Sequence, residues 1–194
     1  MTYHITGLFK YTAKVMSDIE PIPTKLLWMD LEMTGLDTSK HVIVEVAAEI
    51  TDFNFKTLAS YEAVIAQPDK RLLAIDAWSK EQHTTSGLMD RIKTEGRAEK
   101  EVIHELVGFV KAQFGDEPAI LAGNSIHNDR SFIKAWWPEV DQLLHYRMLD
   151  VSSFKVLMQA KYGVVFEKNK AHRAFDDIQA SIAELQHYLE RLKS

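Results

Sequence analysis

The sequence predicts an α/β fold in which one mixed sheet carries helices packed against it. Three observations lead there. Short apolar runs joined by short connections follow one another between residues 25 and 66, as buried strands do. Apolar residues at helical spacing dominate the last half. The chain has 194 residues, 46% hydrophobic and 26% charged, which suits one domain with a substantial core.

Taken in order, Leu26-Leu27-Trp28-Met29-Asp30-Leu31-Glu32 reads as a buried strand. His41 to Ile50 is a second strand, rich in β-branched residues, and Leu58 to Ala66 a third. Their short connections predict an antiparallel meander. Ile103, Leu106, Val107, Val110 and Phe114 recur at helical spacing. Pro118 to Gly123 is a further short apolar run ending in glycine, a buried strand. A helix follows Asp129 through Phe132, Ile133 and Trp136 and stops near Pro138. Asp150-Val151-Ser152 opens another helix that runs through Leu157. The last helix carries Ile178, Ile182, Leu185, Leu189 and Leu192 along one face. Residues 1–24, with Pro21 and Pro23 near their end, read as a flexible N-terminal extension, and residues 25–194 as the domain.

Composition narrows the function. No window approaches the run of about 18 apolar residues that a membrane span needs. There is no cysteine, so disulfides and thiolate metal sites are excluded, and a reducing, cytoplasmic location is expected. Net charge is −5, against the basic surface that long nucleic acid requires. A nucleic-acid substrate would therefore be met locally, through metal ions or a few cationic groups.

Four acids stand out by position. Asp30 and Glu32 lie two apart on the first strand, which puts both on one face. Two like charges on so apolar a strand are costly unless a cation answers them. Asp129 follows a buried strand at the start of a helix, and Asp177 lies in the first turn of the last helix. Singly, the last two have an ordinary explanation, because helix N-termini favour carboxylates. Together the four can converge at one end of a sheet. Their roughly four negative charges balance two divalent ions in an all-oxygen site, which suits Mg²⁺ or Mn²⁺. Such a pair hydrolyses phosphodiesters. His172, five residues before Asp177, falls in the preceding loop, and an imidazole there can take a proton from the attacking water. A surface histidine is the ordinary alternative.

These residues carry a resemblance. Asp30-x-Glu32, Asp129 and His172-x-x-x-x-Asp177 resemble the exonuclease superfamily named for its Asp-Glu-Asp-Asp quartet, in its histidine-containing subgroup. Longer strings are similar to the oligoribonuclease family: Trp28 to Leu36, Ala122 to Ile126, His145 to Ser152 and Ala171 to Ile178. The resemblance implies an RNase H-like fold, a mixed five-stranded sheet flanked by helices. It implies 3′→5′ hydrolysis of short single-stranded RNA, dinucleotides above all, to 5′-mononucleotides. It also implies two divalent cations, Mg²⁺ or Mn²⁺, and a homodimer with no membrane partner.

By matching position, the resemblance makes Asp30, Glu32, Asp129 and Asp177 the metal ligands and His172 the general base. Leu36 would wedge between two bases, Trp78 and His83 would line the 3′ nucleotide's site, and Ser125 would touch the 5′ phosphate. Tyr146, Arg147 and Ser152 would complete the partner's site, Arg147 and Ser152 capping that phosphate. Each role is physically sound, since apolar side chains pack on a base without reading it and a guanidinium suits phosphate oxygens. Outside the resemblance, Leu36 reads as turn packing, Trp78 as a core aromatic and Ser152 as a helix cap. The rivals are a nuclease of longer strands, a binding module on a decayed nuclease, and a purely structural protein. The acidic charge argues against the first and the intact quartet with His172 against the second. Asp30 and Glu32 on a buried strand argue against the third.

Overall fold

In the computed structural model, residues 23–167 and 173–192 are described. The expected extension, residues 1–24, lies almost wholly outside them. Five strands form one sheet in the order β3-β2-β1-β4-β5. They are β1 (Lys25–Met33), β2 (Ile43–Asp52), β3 (Thr57–Val64), β4 (Ala119–Gly123) and β5 (Leu144–Asp150). The first three make the expected antiparallel meander, with Asp30 opposite Ala47 and Glu32 opposite Glu45. β4 runs parallel to β1, and β5 parallel to β4.

The helices among the described residues are α1 (Asp69–Leu72), α2 (Ala77–Thr85), α3 (Leu88–Thr94), α4 (Glu99–Phe114), α5 (His127–Trp136), α6 (Pro138–Asp141), α7 (Val151–Tyr162) and α8 (Ala174–Arg191). Strand alternation divides the core. Leu27, Met29 and Leu31 of β1 pack with Val102, Leu106 and Val110 of α4 on one face. Leu26 and Trp28 pack with Ile178, Ile182, Leu185 and Tyr188 of α8 on the other. Asp30 and Glu32 share the parity of Leu26 and Trp28, so the pleat aims both acids at the helix that carries Asp177.

The topology fixes where a site belongs. After β1 the chain turns toward β2 and β3, and after β4 it turns the other way, toward β5. The carboxyl ends of two parallel neighbours whose connections diverge leave a crevice between them. Here β1 and β4 pair only at Leu27 with Leu121 and Trp28 with Ala122, so β1 continues past its neighbour from Met29 onward. No described helix is long and apolar enough to cross a membrane.

Candidate active site

The crevice beyond β1 and β4 is a cavity of about 310 Å³. Asp30, Glu32, Asp129 and Asp177 line it, together with Leu36, Trp78, His83, Asn124 and Ser125. Oxygens of Asp30, Glu32 and Asp177 lie within 4.8 Å of one another, close enough for one cation to meet all three. The donor set is hard oxygen with no sulfur, which fits a divalent cation of the Mg²⁺ type.

Asp129 enters by a different route. It sits in the first turn of α5 but does not cap it; its Oδ1 accepts the Leu31 N–H at 2.9 Å. That amide lies where β1 has run past β4, so the acid completes the hydrogen bonding of β1. Burial pushes the Asp129 carboxyl up to about 7. Glu32 is pushed up to about 8, first by burial and then by Glu45, Asp177 and Asp129. Two carboxyls held this far above their ordinary range need a proton or a cation. Arg91 of α3 does not answer them, because its guanidinium is engaged by Glu45 at 2.6 Å and Glu95 at 2.9 Å.

The opposite wall comes from α2 and the loop before it. His83 is buried, and its Nε2 lies 2.8 Å from the Met33 carbonyl, so Nε2–H donates there and Nδ1 carries the lone pair. Nδ1 lies 3.7 Å from Glu32 Oε2. Burial lowers the pKa of the ring, which keeps it neutral. Asp76 caps α2 by accepting the Ser79 N–H at 2.7 Å. Gly35 passes between Asp76 and His41 with φ near +154°, and a Cβ there would come within 2.5 Å of Asp76 Oδ2. Glycine therefore lets the loop carry Leu36 to the rim. Leu36 is 70% exposed and Trp78 66%, so neither is turn packing or a core aromatic.

The third wall is the turn after β4. Ser125 has φ near +50°, a strained conformation for a side-chain-bearing residue. Its N–H donates to Asp150 Oδ1 at 2.9 Å. The same oxygen accepts the Ser152 N–H at 2.9 Å and the Ser152 hydroxyl at 2.5 Å. Asp150, not Ser152, is thus the N-cap of α7. Tyr146, Arg147 and Ser152 do not line this cavity. Tyr146 is 66% exposed on β5, and the Arg147 guanidinium stacks on its ring at 4.8 Å. His172 lies outside the described residues, directly before the N-cap of α8, Arg173.

Residues 27–185 match the family model described as Exonuclease. An oligoribonuclease of Francisella tularensis is 40% identical over 171 residues, covering 87% of this chain and 96% of its own. That of Idiomarina loihiensis is also 40% identical, over 88% of this chain and 95% of its own. The chain belongs to the oligoribonuclease family of exonucleases. It is a metal-dependent 3′→5′ exonuclease, a hydrolase of phosphodiesters. Solved structures of E. coli exonuclease I with single-stranded DNA share the fold, with TM-score 0.62 at 13% identity over 88% of this chain. This chain spans 41% of that one. Membership in a metal-dependent exonuclease family fits the acid group of Asp30, Glu32 and Asp177.

Asn124 lines the site and Asp150 holds its Ser125, although the residue pattern gave neither a role. Asn124 carried one available signal, an amide directly after the glycine that ends a buried strand. Asp150 was visible only as a helix opening.

Proposed function

We propose that this chain is a 3′→5′ exoribonuclease that hydrolyses short RNA oligomers, diribonucleotides above all, to 5′-mononucleotides. The observation that carries it is the convergence of Asp30, Glu32 and Asp177 within 4.8 Å, in a cavity also lined by Asp129, Leu36, Trp78 and Ser125. A cavity of about 310 Å³ fits a few nucleotides better than a long track, and the net charge of −5 agrees.

Asp30, Glu32, Asp129 and Asp177 hold two cations, Mg²⁺ or Mn²⁺. When bound, these supply a nucleophile at neutral pH and stabilise the leaving oxygen. The chain's own residues do the rest. His172 takes the proton of the attacking water. Leu36 wedges between the bases, while Trp78 and His83 hold the 3′ nucleotide. Neutral His83 presents Nδ1 as an acceptor on that wall. Ser125 meets the 5′ phosphate; its hydroxyl makes no hydrogen bond among the described residues and is available to donate.

The working unit is a homodimer in which Tyr146, Arg147 and Ser152 complete the partner's site. Supporting this, β5 is an edge strand whose Tyr146 and Met148 are exposed, as are Val156 and Leu157 on α7, which follows it. Edge strands with apolar exposure are ordinarily covered. Arg147 on that edge offers a planar fork for phosphate. A cytoplasmic location is consistent with the absence of cysteine.

The test is cleavage of a 5′-labelled diribonucleotide and of a strand of roughly 20 nucleotides, with Mg²⁺ and with EDTA. Metal-dependent hydrolysis of the dinucleotide with the long strand nearly untouched supports this function. Equal or faster trimming of the long strand overturns the substrate class.

A further inference from the structure

Asn124 stands at the rim of the cavity, between Gly123 at the end of β4 and the strained Ser125. Its Nδ2 donates to Ser181 Oγ and to Glu184 Oε2, both at 3.0 Å and both on α8. Glu184 is fully buried, and its other oxygen accepts the hydroxyl of fully buried Tyr188 at 2.8 Å. Ser181 Oγ in turn donates to the Asp177 carbonyl at 2.8 Å. A buried network thus joins the helix of a candidate metal ligand to one amide.

The network fixes which way that amide faces. The Ser181 hydroxyl gives its one proton to the Asp177 carbonyl, so toward Asn124 it can only accept, and the nitrogen of Asn124 must be the atom turned toward α8. Both of its N–H groups are then used, and Oδ1 faces away. Oδ1 takes no hydrogen bond among the described residues. Nor is it sealed in the interior, since the buried side-chain atom without a partner among the described residues is Trp136 Nε1. Asn124 therefore offers the cavity an acceptor with a fixed direction.

The substrate limits what can meet it. On the function proposed above, Ser125 meets the 5′ phosphate and the acid cluster meets the scissile one. Between those two phosphates lies the ribose of the 5′-side nucleotide, whose 3′-oxygen is the leaving group. Phosphate oxygens and the leaving oxygen are acceptors and would repel Oδ1. The donor on that ribose is its 2′-hydroxyl, the group that separates RNA from DNA. We infer that Asn124 Oδ1 receives the 2′-hydroxyl of the 5′-side ribose and so selects RNA over DNA, with Glu184 as the positioning residue that aims it.

The experiment compares kcat/KM of the full-length protein, with saturating Mn²⁺, on three dinucleotides. One is all-ribo, one is 2′-deoxy at the 5′-side nucleotide only, and one is 2′-fluoro at that position, which keeps an acceptor but loses the donor. The unsubstituted protein is expected to prefer the all-ribo dinucleotide by about tenfold over the other two, the scale of one hydrogen bond. Asn124→Ala should slow the all-ribo substrate and bring the ratio near one. Glu184→Gln should move the ratio the same way while Mn²⁺ binding persists, and it reads the same quantity if Asn124→Ala does not fold. All three dinucleotides slowed equally by Asn124→Ala with the ratio kept, or the 2′-fluoro substrate cleaved like RNA by the unsubstituted protein, overturns the inference and leaves the exonuclease intact. No metal-dependent cleavage of any dinucleotide by the unsubstituted protein overturns the function on which it rests.

Discussion

The backbone N–H of Ser125 and the hydroxyl of Ser152 meet on one oxygen, Asp150 Oδ1, at 2.9 Å and 2.5 Å. One carboxylate therefore holds the turn after β4 in its strained conformation and starts α7 at the same time. If Ser125 of one protomer and Ser152 of the other both face a 5′ phosphate, this link ties two sites together. Asp150→Asn weakens a charge-assisted hydrogen bond of about 1.5–3 kcal/mol. KM for a 5′-phosphorylated dinucleotide should rise roughly 10- to 100-fold, and KM for the same dinucleotide with a 5′-hydroxyl should hardly change. Steady-state kinetics on the pair of substrates measures this, and an equal rise in both removes the phosphate role.

Stability of the metal-free protein should fall as pH rises. Glu32 and Asp129 keep their protons up to about pH 8 and 7 in the fold. Unfolded, they release them near the ordinary carboxyl values of about 4. The folded state binds more protons across that window, so its advantage is complete below about pH 4 and is lost toward pH 8. Divalent cation replaces the protons. The melting-temperature gain on adding Mn²⁺ should be larger at pH 8 than at pH 6, and about 5–10 °C when the metal is near 100-fold over its Kd. A gain independent of pH would mean that these two carboxyls do not hold the metal.

His172→Ala should leave Mn²⁺ affinity nearly unchanged and cut kcat by roughly 10²- to 10⁴-fold, the range of general-base catalysis. Calorimetric metal titration beside single-turnover rates separates the two quantities. Matched losses in both would make His172 a metal-site residue instead.

Trp78 is two-thirds exposed at the cavity rim. Trp78→Ala removes a stacking surface of about 1–3 kcal/mol, so KM for a dinucleotide should rise about 5- to 150-fold with folding stability unaltered. A lowered melting temperature with unchanged KM would return Trp78 to a packing role.

The meander, the buried strand at 119–123 and the long helices were legible because their apolar residues follow strand or helix periods against a continuous core. β5 was not. His145, Tyr146, Arg147 and Met148 show no apolar alternation, because this strand lies at the sheet edge with its side chains largely uncovered. α2 was equally hidden, since the residues it buries are Ser79 and His83. The acid pair on β1 was legible from parity alone. Asp150 and Asn124 were not, because each acts through hydrogen bonds to distant elements, at Ser125 and at Glu184, that no local spacing encodes.

The bond from the Leu31 amide to Asp129 also bears on how such a protein can change over generations. Asp129 cannot be exchanged for an apolar residue without orphaning a strand amide at the centre of the sheet, a loss of roughly 1–3 kcal/mol. A descendant released from selection for hydrolysis would still be held to Asp or Asn at 129. In such a lineage the acid at 129 would outlast the trade and record the architecture alone.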